Sequence, residues 1–332
     1  MDRNSFFKCF ALGAAATATV GHSQGLGAQA GAQPSRRTGG ALGSNLIIPD
    51  YLTSGVRRLS REKNFTIYNT ELSPEYRVEL GEVVLMELQH GLPGCVTRDG
   101  TFRKPGDGDR INPQTGPVYI EGIEPGDALA VDLFEIRVGD WGYAGGRIFE
   151  LADGYAVFDS GLRLPLSPMI GGLGIVPAEG EMDTKTPKET GGNMDCREVR
   201  AGSTIVFTAQ VPGGMVGMGD THALQGDGEI VGQGIETDAE VLVRFRRLPE
   251  KLSDRPVILR PELVATVGAH EDLNEAAWQA TDDMADLVAA VTGRPEREAR
   301  MLVSMAGNLK INQIVDPWKG ARMEVPSWVF GA

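Results

Sequence analysis

The chain is poor in aromatic residues, cysteine, net positive charge and long apolar runs, and each shortage removes a class of protein. Phe, Trp and Tyr make up 6% of its 332 residues, and 32 lysines and arginines face 45 aspartates and glutamates, for a formal charge of −13. Nothing resembles the basic stripe that neutralises phosphates, so nucleic acid is excluded as a partner. The three cysteines are Cys9, Cys95 and Cys196. They are too few for a disulfide scaffold, and their spacing fits no zinc motif. Cys95 and Cys196 could pair in an oxidising compartment or remain two buried thiols, and both readings stay open. Beyond the N-terminal segment, no apolar run approaches the roughly 20 residues that a membrane-spanning helix needs.

What is present points to a β-rich globular protein. Hydrophobic residues reach 41%, enough for a sizeable core, while 44 glycines and 19 prolines imply many turns between short elements. Residues 1–30 read as an export signal. Arg3 and Lys8 precede a small apolar stretch at 10–20, and Ala28-Gln29-Ala30 fits the small-residue rule for cleavage. The segment 3–8 is similar to a twin-arginine motif with Asn4 in place of the second arginine, which leaves the export route open. The protein is therefore expected outside the cytoplasm, periplasmic or extracellular. Residues 31–60 form a linker and lead-in, Gly/Ala/Ser/Arg-rich at the start.

Residues 61–248 read as a β-rich catalytic body and 249–332 as an α+β part packing on it. Strand patterns cover residues 82–88, 129–138, 204–211 and 240–246, the last with Val241, Val243 and Phe245 on one face and Arg244 and Arg246 on the other. Helical spacing then runs from Leu273 to Val291, with Asp272 as N-cap and Gly293 as stop. Pro295 suits the start of a second helix ending near Gly307, and residues 309–315 revert to a strand.

Chemistry is concentrated between Gly191 and Glu236. Gly191-Gly192-Asn193-Met194-Asp195 is followed by Gly219-Asp220-Thr221-His222 and Gly226-Asp227-Gly228-Glu229. In an extended segment Asp220 and His222 lie two apart and point to the same face. A carboxylate and an imidazole there can clasp a divalent ion. The plainer alternative is that these are turn residues, as Asp227-Gly228 is in many hairpins. His90, after the strand at 82–88, is kept as a further ligand because Asp220 and His222 alone underfill a metal site, although a lone histidine is more often a loop residue. His270 reads as a surface or capping residue, and Cys196 as a small buried one rather than a nucleophile. No Gly-x-Ser-x-Gly elbow is found.

VPGGMVGMGDTHALQGDGE at 211–229 resembles the most characteristic block of the acetamidase/formamidase family, as do GGNMD at 191–195, PMIGGLGIVP at 168–177, NPQTGPVYIEGIEPGD at 112–127 and LKINQIVDP at 309–317. The blocks occur in the right order over nearly the whole chain after residue 30. The resemblance implies a β-sandwich and β-barrel body with a smaller α+β part, and hydrolysis of short aliphatic amides to a carboxylate and ammonia. It also implies a divalent metal, zinc or calcium. The family's polar motif positions fall on Asn193, Asp195, Asp220, His222 and Glu229. Asp220, His222, Asp195 and His90 are the expected metal ligands, with zinc as the expected ion. Glu229 is the expected base and later acid, and Asn193 and Asp195 are further catalytic candidates. Gly214-Met215-Val216 departs from the family pattern and is expected to alter the pocket beside the site. The expected partner is a small amide, and a further copy of the chain is considered with its number left open. Two rivals remain: a metal-independent amidase using Glu229 or Asp195, and an exported small-molecule or metal-binding protein on the same scaffold.

Overall fold

The computed structural model describes Phe6 and residues 54–331. The export signal at 1–30, apart from Phe6, and most of the 31–60 lead-in lie outside the described residues. Phe6 is buried, and its ring stacks on Phe330 with centroids 5.0 Å apart.

Alternating apolar positions produce two large sheets. The larger has nine strands, in the order Arg57–Leu59, Val83–Leu88, Ala239–Leu248, Ala128–Val138, Thr204–Thr208, Val257–Leu259, Leu263–His270, Lys319–Pro326 and Asn308–Gln313. The second runs Gly191–Asn193, Met169–Gly174, Val216–His222, Gln114–Ile120 and Asn64–Phe65, with Tyr76–Val78 pairing in parallel beside Gln114–Ile120. Their inner faces share one core: Met86, Leu88, Val131, Val241 and Phe245 from the larger sheet pack with Ile170, Leu173, Met218 and Val118 from the second. This is the sandwich expected, with period-2 patterning placing apolar residues inward. A four-stranded meander, Trp141–Ala144, Arg147–Ala152, Tyr155–Val157 and Arg163–Pro165, extends from one end.

The alternation in Ala239–Leu248 brings two arginines of its polar face onto one buried acid. Arg244 Nε and Arg246 Nε donate to Asp132 Oδ2 at 2.9 and 2.6 Å, and Thr204 Oγ1 donates to Asp132 Oδ1 at 2.7 Å. Burial raises the Asp132 pKa, but Arg246 and Arg244 outweigh it and hold the carboxyl below its ordinary range.

Helix α1 spans Leu273–Thr292. Asp272 caps it, its carboxylate accepting from Asn274 N at 2.7 Å and Glu275 N at 3.3 Å, and Gly293 ends it at φ 69°. Helix α2, Glu296–Ala306, follows Pro295. Ala280, Met284 and Val288 of α1 pack on Val264, Met323 and Val325 of the larger sheet. The division drawn at residue 248/249 therefore falls between strands of one continuous sheet: the C-terminal strands extend the body rather than form a sheet of their own. Periodicity marks strands but cannot show which sheet a strand joins. Among the described residues no helix is long and apolar enough to cross a membrane.

Candidate functional site

The second sheet carries the polar cluster. Met169–Gly174 pairs with Val216–His222 on one side and Gly191–Asn193 on the other. Asp195 follows this last strand, and its N–H donates to the Gly171 carbonyl at 3.1 Å. Gly171 lets the two acids converge, since a Cβ there would lie 2.7 Å from Asp195 Oδ1 and 2.9 Å from Asp220 Oδ2. Gly91 does the same on the other side, where a Cβ would meet Asp220 Oδ1 at 2.8 Å and Glu236 Oε2 at 3.2 Å. The backbone is strained where the chemistry gathers. Asn112, Asp195, Asp220 and Glu229 all adopt positive φ, at 47°, 45°, 55° and 45°.

His222 is the hub. Its Nδ1 lies 2.6 Å from Gln225 Oε1, while Gln225 Nε2 donates to the Asp195 carbonyl at 2.9 Å. Gln225 thus offers an acceptor to Nδ1, which carries the proton and leaves Nε2 facing the acids. Nε2 is 3.0 Å from Glu236 Oε1 and 3.7 Å from Asp220 Oδ1. Two groups of donor atoms converge within 4.8 Å of one another: Asp195, Asp220 and His222, and His222, Glu229 and Glu236. All five residues are buried. Asp195 Oδ1 is buried without a hydrogen-bond partner, and His222 Nε2 is buried with only the carboxylates of Glu236 and Asp220 beside it.

The electrostatics are those of four buried acids gathered around one imidazole. Burial, with Glu229 and Asp220 adding repulsion, holds the Asp195 carboxyl well above its usual range. Burial and then Glu236 push Asp220 up to about 6. Burial raises Glu229 to about 8, opposed by His222 and reinforced by Asp220 and Glu236. Burial would lower His222, but Glu236 and Asp220 overcome it and hold the imidazolium well above the ordinary histidine range. Among the described residues no lysine or arginine forms an ion pair with Asp195, Asp220, Glu229 or Glu236. Buried carboxylates without a cation are costly. A divalent ion fits this donor set of carboxylate oxygens and one imidazole, and Asp195 Oδ1 has no other partner.

The expected residues Asn193, Asp195, Asp220, His222 and Glu229 are therefore brought together. Asn193 holds its neighbours rather than offering a free donor. Its Nδ2 donates to Asp195 Oδ2 at 2.9 Å and to Asp316 Oδ2 at 3.0 Å, which uses both N–H bonds. His90 belongs to neither donor group among the described residues. Its Nδ1 accepts from Leu92 N at 3.2 Å, and its ring packs edge-on to Tyr143, with centroids 5.3 Å apart. Burial lowers its pKa against the pull of Asp238 and Glu236, as suits a neutral wall residue. The expectation for residues 214–216 is corrected. They stand at the opposite end of the Val216–His222 strand from His222, about 20 Å away at roughly 3.3 Å per residue. Met215 packs with Phe65, Tyr68, Val176 and Met182, so its departure alters a groove there and leaves the site alone. Cys95 and Cys196 are free thiols, and burial pushes Cys196 up to about 11, unsuited to a nucleophile.

Four participants were not singled out in the sequence. Asn112 Nδ2 donates to Asp220 Oδ2 at 3.0 Å, and Asp316 accepts from Asn193. Both lie inside motif blocks already quoted, the only signal available for them. Gln225 likewise lies inside the quoted block at 211–229, whereas Glu236 lies in none of the quoted blocks and is placed by cross-strand bridging to His222 and Tyr143.

Comparison with known proteins follows the same lines. Residues 175–331 match the model of the Acetamidase/Formamidase family. A crystal structure described as a predicted acetamidase/formamidase from Thermoanaerobacter tengcongensis is 31% identical with a TM-score of 0.79, covering 83% of this chain and 97% of its own. An acetamidase structure from Bacillus halodurans is 32% identical with a TM-score of 0.77, covering 82% and 98%. The acetamidase of Mycolicibacterium smegmatis is 27% identical over 197 residues, 35% of this chain and 48% of that one. The chain spans between 46% and 62% of the length of the curated relatives it matches.

Proposed function

This chain belongs to the acetamidase/formamidase family, and on that footing we propose that it hydrolyses short linear amides to a carboxylate and ammonia with the help of a divalent cation, zinc in our reading. The observation that carries the cation is the convergence of buried donors in one group, Asp195, Asp220 and His222, with Asp195 Oδ1 unpartnered and His222 Nε2 facing only carboxylates. Asp195, Asp220 and His222 would hold it. When bound, such an ion supplies Lewis acidity and makes water more acidic.

The chain's own groups account for the rest. Gln225 fixes the His222 tautomer through Nδ1, which would leave Nε2 to hold the cation. Asn193 orients Asp195, and Asn112 orients Asp220. Glu229 is the proton carrier. It takes a proton from the attacking water and returns one to the departing nitrogen as the C–N bond breaks, so amide and water become carboxylate and ammonia. Glu236 lies 3.0 Å from His222 Nε2 and would add negative charge around the cation. The carboxylate-rich walls oppose an anionic substrate and favour a neutral one, as an amide is.

Elemental analysis of the purified protein, with ammonia release from formamide, acetamide, propionamide and urea, tests this reading. Zinc near one equivalent and chelator-sensitive turnover are expected. Full turnover after exhaustive chelation refutes the cation, and ligand binding without any amide turnover favours the binding-protein alternative. The basic–apolar–AQA order of residues 1–30 also leads us to propose export.

A further inference from the structure

Asp227-Gly228 has the composition of a hairpin turn. It lies instead in the connection from Val216–His222 of the second sheet to Ala239–Leu248 of the larger one, and it docks on the edge strand Asn308–Gln313. Gly228 N donates to the carbonyls of Ile311 and Asn312 at 3.1 and 3.0 Å, and Ile314 N donates to Gly228 O at 3.2 Å. Beside these bonds the Asp227 carboxylate meets Arg322. Its Oδ1 accepts from Nη1 at 2.9 Å and its Oδ2 from Nη2 at 3.1 Å, the two-pronged geometry that guanidinium and carboxylate favour. Arg197 adds a looser contact to Oδ2 at 3.9 Å. Arg322 is fully buried and fixed to the sheet, with Nε donating to Glu324 Oε1 at 2.7 Å and Nη1 to Asn312 Oδ1 at 2.8 Å.

Glu229 stands two residues beyond Asp227. Its carboxylate belongs to the donor group of His222 and Glu236, yet among the described residues no hydrogen bond holds that carboxylate. Burial and the charges of His222, Asp220, Glu236 and Asp316 are what it meets. Its place therefore depends on the backbone, which is held at φ 45°. That backbone has little else to stiffen it. Gly228 takes φ 95°, a Cβ at Gly226 would meet nothing within 4 Å, and Ile230 and Val231 on the far side are 77% and 69% exposed. We propose that Asp227, clamped by Arg322, is the positioning residue for Glu229: the ion pair holds a glycine-rich turn against the sheet and so keeps the Glu229 carboxylate among the groups around His222. This role rests on Glu229 as the proton carrier and deepens that reading. Asp227 belongs to neither donor group among the described residues, so it acts on the rate through Glu229 and leaves the cation alone.

The test is a double-mutant cycle on the zinc-loaded protein with acetamide, read as kcat, KM and bound zinc. Asp227→Ala should lower kcat about tenfold or more, because a displacement of about 1 Å in a reacting group can cost about a hundredfold. KM should change less than about twofold, as expected for a group that acts only in the transition state, and zinc should be retained. Asp227→Asn keeps the shape and one acceptor for Arg322, should lower kcat in the same direction, and decides the matter if the Ala variant does not fold. With Glu229→Gln already in place, the same substitutions should leave the residual kcat within about twofold of Glu229→Gln alone. An ion pair that only stabilises the fold gives equal losses in both backgrounds. That result, wild-type kcat in the folded Asp227 variants, or loss of their zinc overturns the positioning role while leaving Glu229 as the proton carrier. Wild-type kcat in Glu229→Gln overturns the proton-carrier reading and the positioning role with it.

Discussion

Asp220→Asn should make the metal-free protein more stable and the metal-loaded protein less so. The substitution preserves shape. Asn tolerates the left-handed backbone that residue 220 adopts at φ 55°, and its side-chain oxygen can still accept from Asn112 Nδ2. What disappears is the carboxylate's ionisation. Burial and Glu236 raise the Asp220 pKa from 3.8 to about 6, so ionising it costs the folded chelated protein about 3 kcal/mol at neutral pH. The sign follows from linkage. Below the unfolded value, the acid is protonated in both states and costs nothing. Between pH 4 and 6 the unfolded chain releases its proton first and stability falls. Above about pH 6 the penalty is constant. The variant also loses Asp220's attraction for His222, which offsets part of the gain. The net expectation is about 1–2 kcal/mol, or roughly 2–8 °C in Tm at about 2–4 °C per kcal/mol. Zinc at a hundredfold over its Kd should restore about 2.7 kcal/mol to the wild type, and little to a variant missing a ligand, so the order inverts. Thermal melts by circular dichroism at pH 4, 5, 6 and 7.5, in chelator and in zinc, measure both. A variant less stable than wild type in chelator at pH 7.5, or stabilised by zinc to the same degree, refutes the reasoning.

Glu229→Gln should cut turnover about a hundredfold or more while bound zinc stays near wild type, read by steady-state kinetics and elemental analysis; loss of zinc with activity would make Glu229 a ligand instead. Asp132→Ala takes away the acceptor shared by Arg244, Arg246 and Thr204, and should cost about 3–5 kcal/mol in denaturant unfolding without touching the site. Because Asp132 is held below its ordinary range, its stabilisation is present above about pH 4 and lost as pH falls further, so the gap to the variant should close in acid. N-terminal sequencing of the secreted fraction should begin near Gly31. Intact Met1 on cytosolic protein would refute export and agree with Phe6 remaining against Phe330.

The sequence by itself determined several of the longer strands of the larger sheet and both helices. Turn-bounded apolar patterns at 82–88 and 129–138 and alternation at 240–246 fell on the strands Val83–Leu88, Ala128–Val138 and Ala239–Leu248, and cap chemistry at Asp272 and Gly293 bounded α1, because these signals act over a few residues. It also determined the hub of the site: Asp220 and His222 are two apart on one strand, so backbone geometry alone places them together. Tertiary structure decided the rest. Glu236 joins His222 only through strand register, Asp316 reaches Asn193 from 123 residues away, and Glu229 meets the acids through a turn whose position no spacing encodes. His90 shows the converse. Its residue type suits a ligand, yet the aromatic walls of Trp141 and Tyr143 receive it instead. Burial is the common reason. Which carboxylates lose their water, and whether any cationic side chain follows them inside, depends on how the sheets close over one another, and that is settled only when distant strands meet.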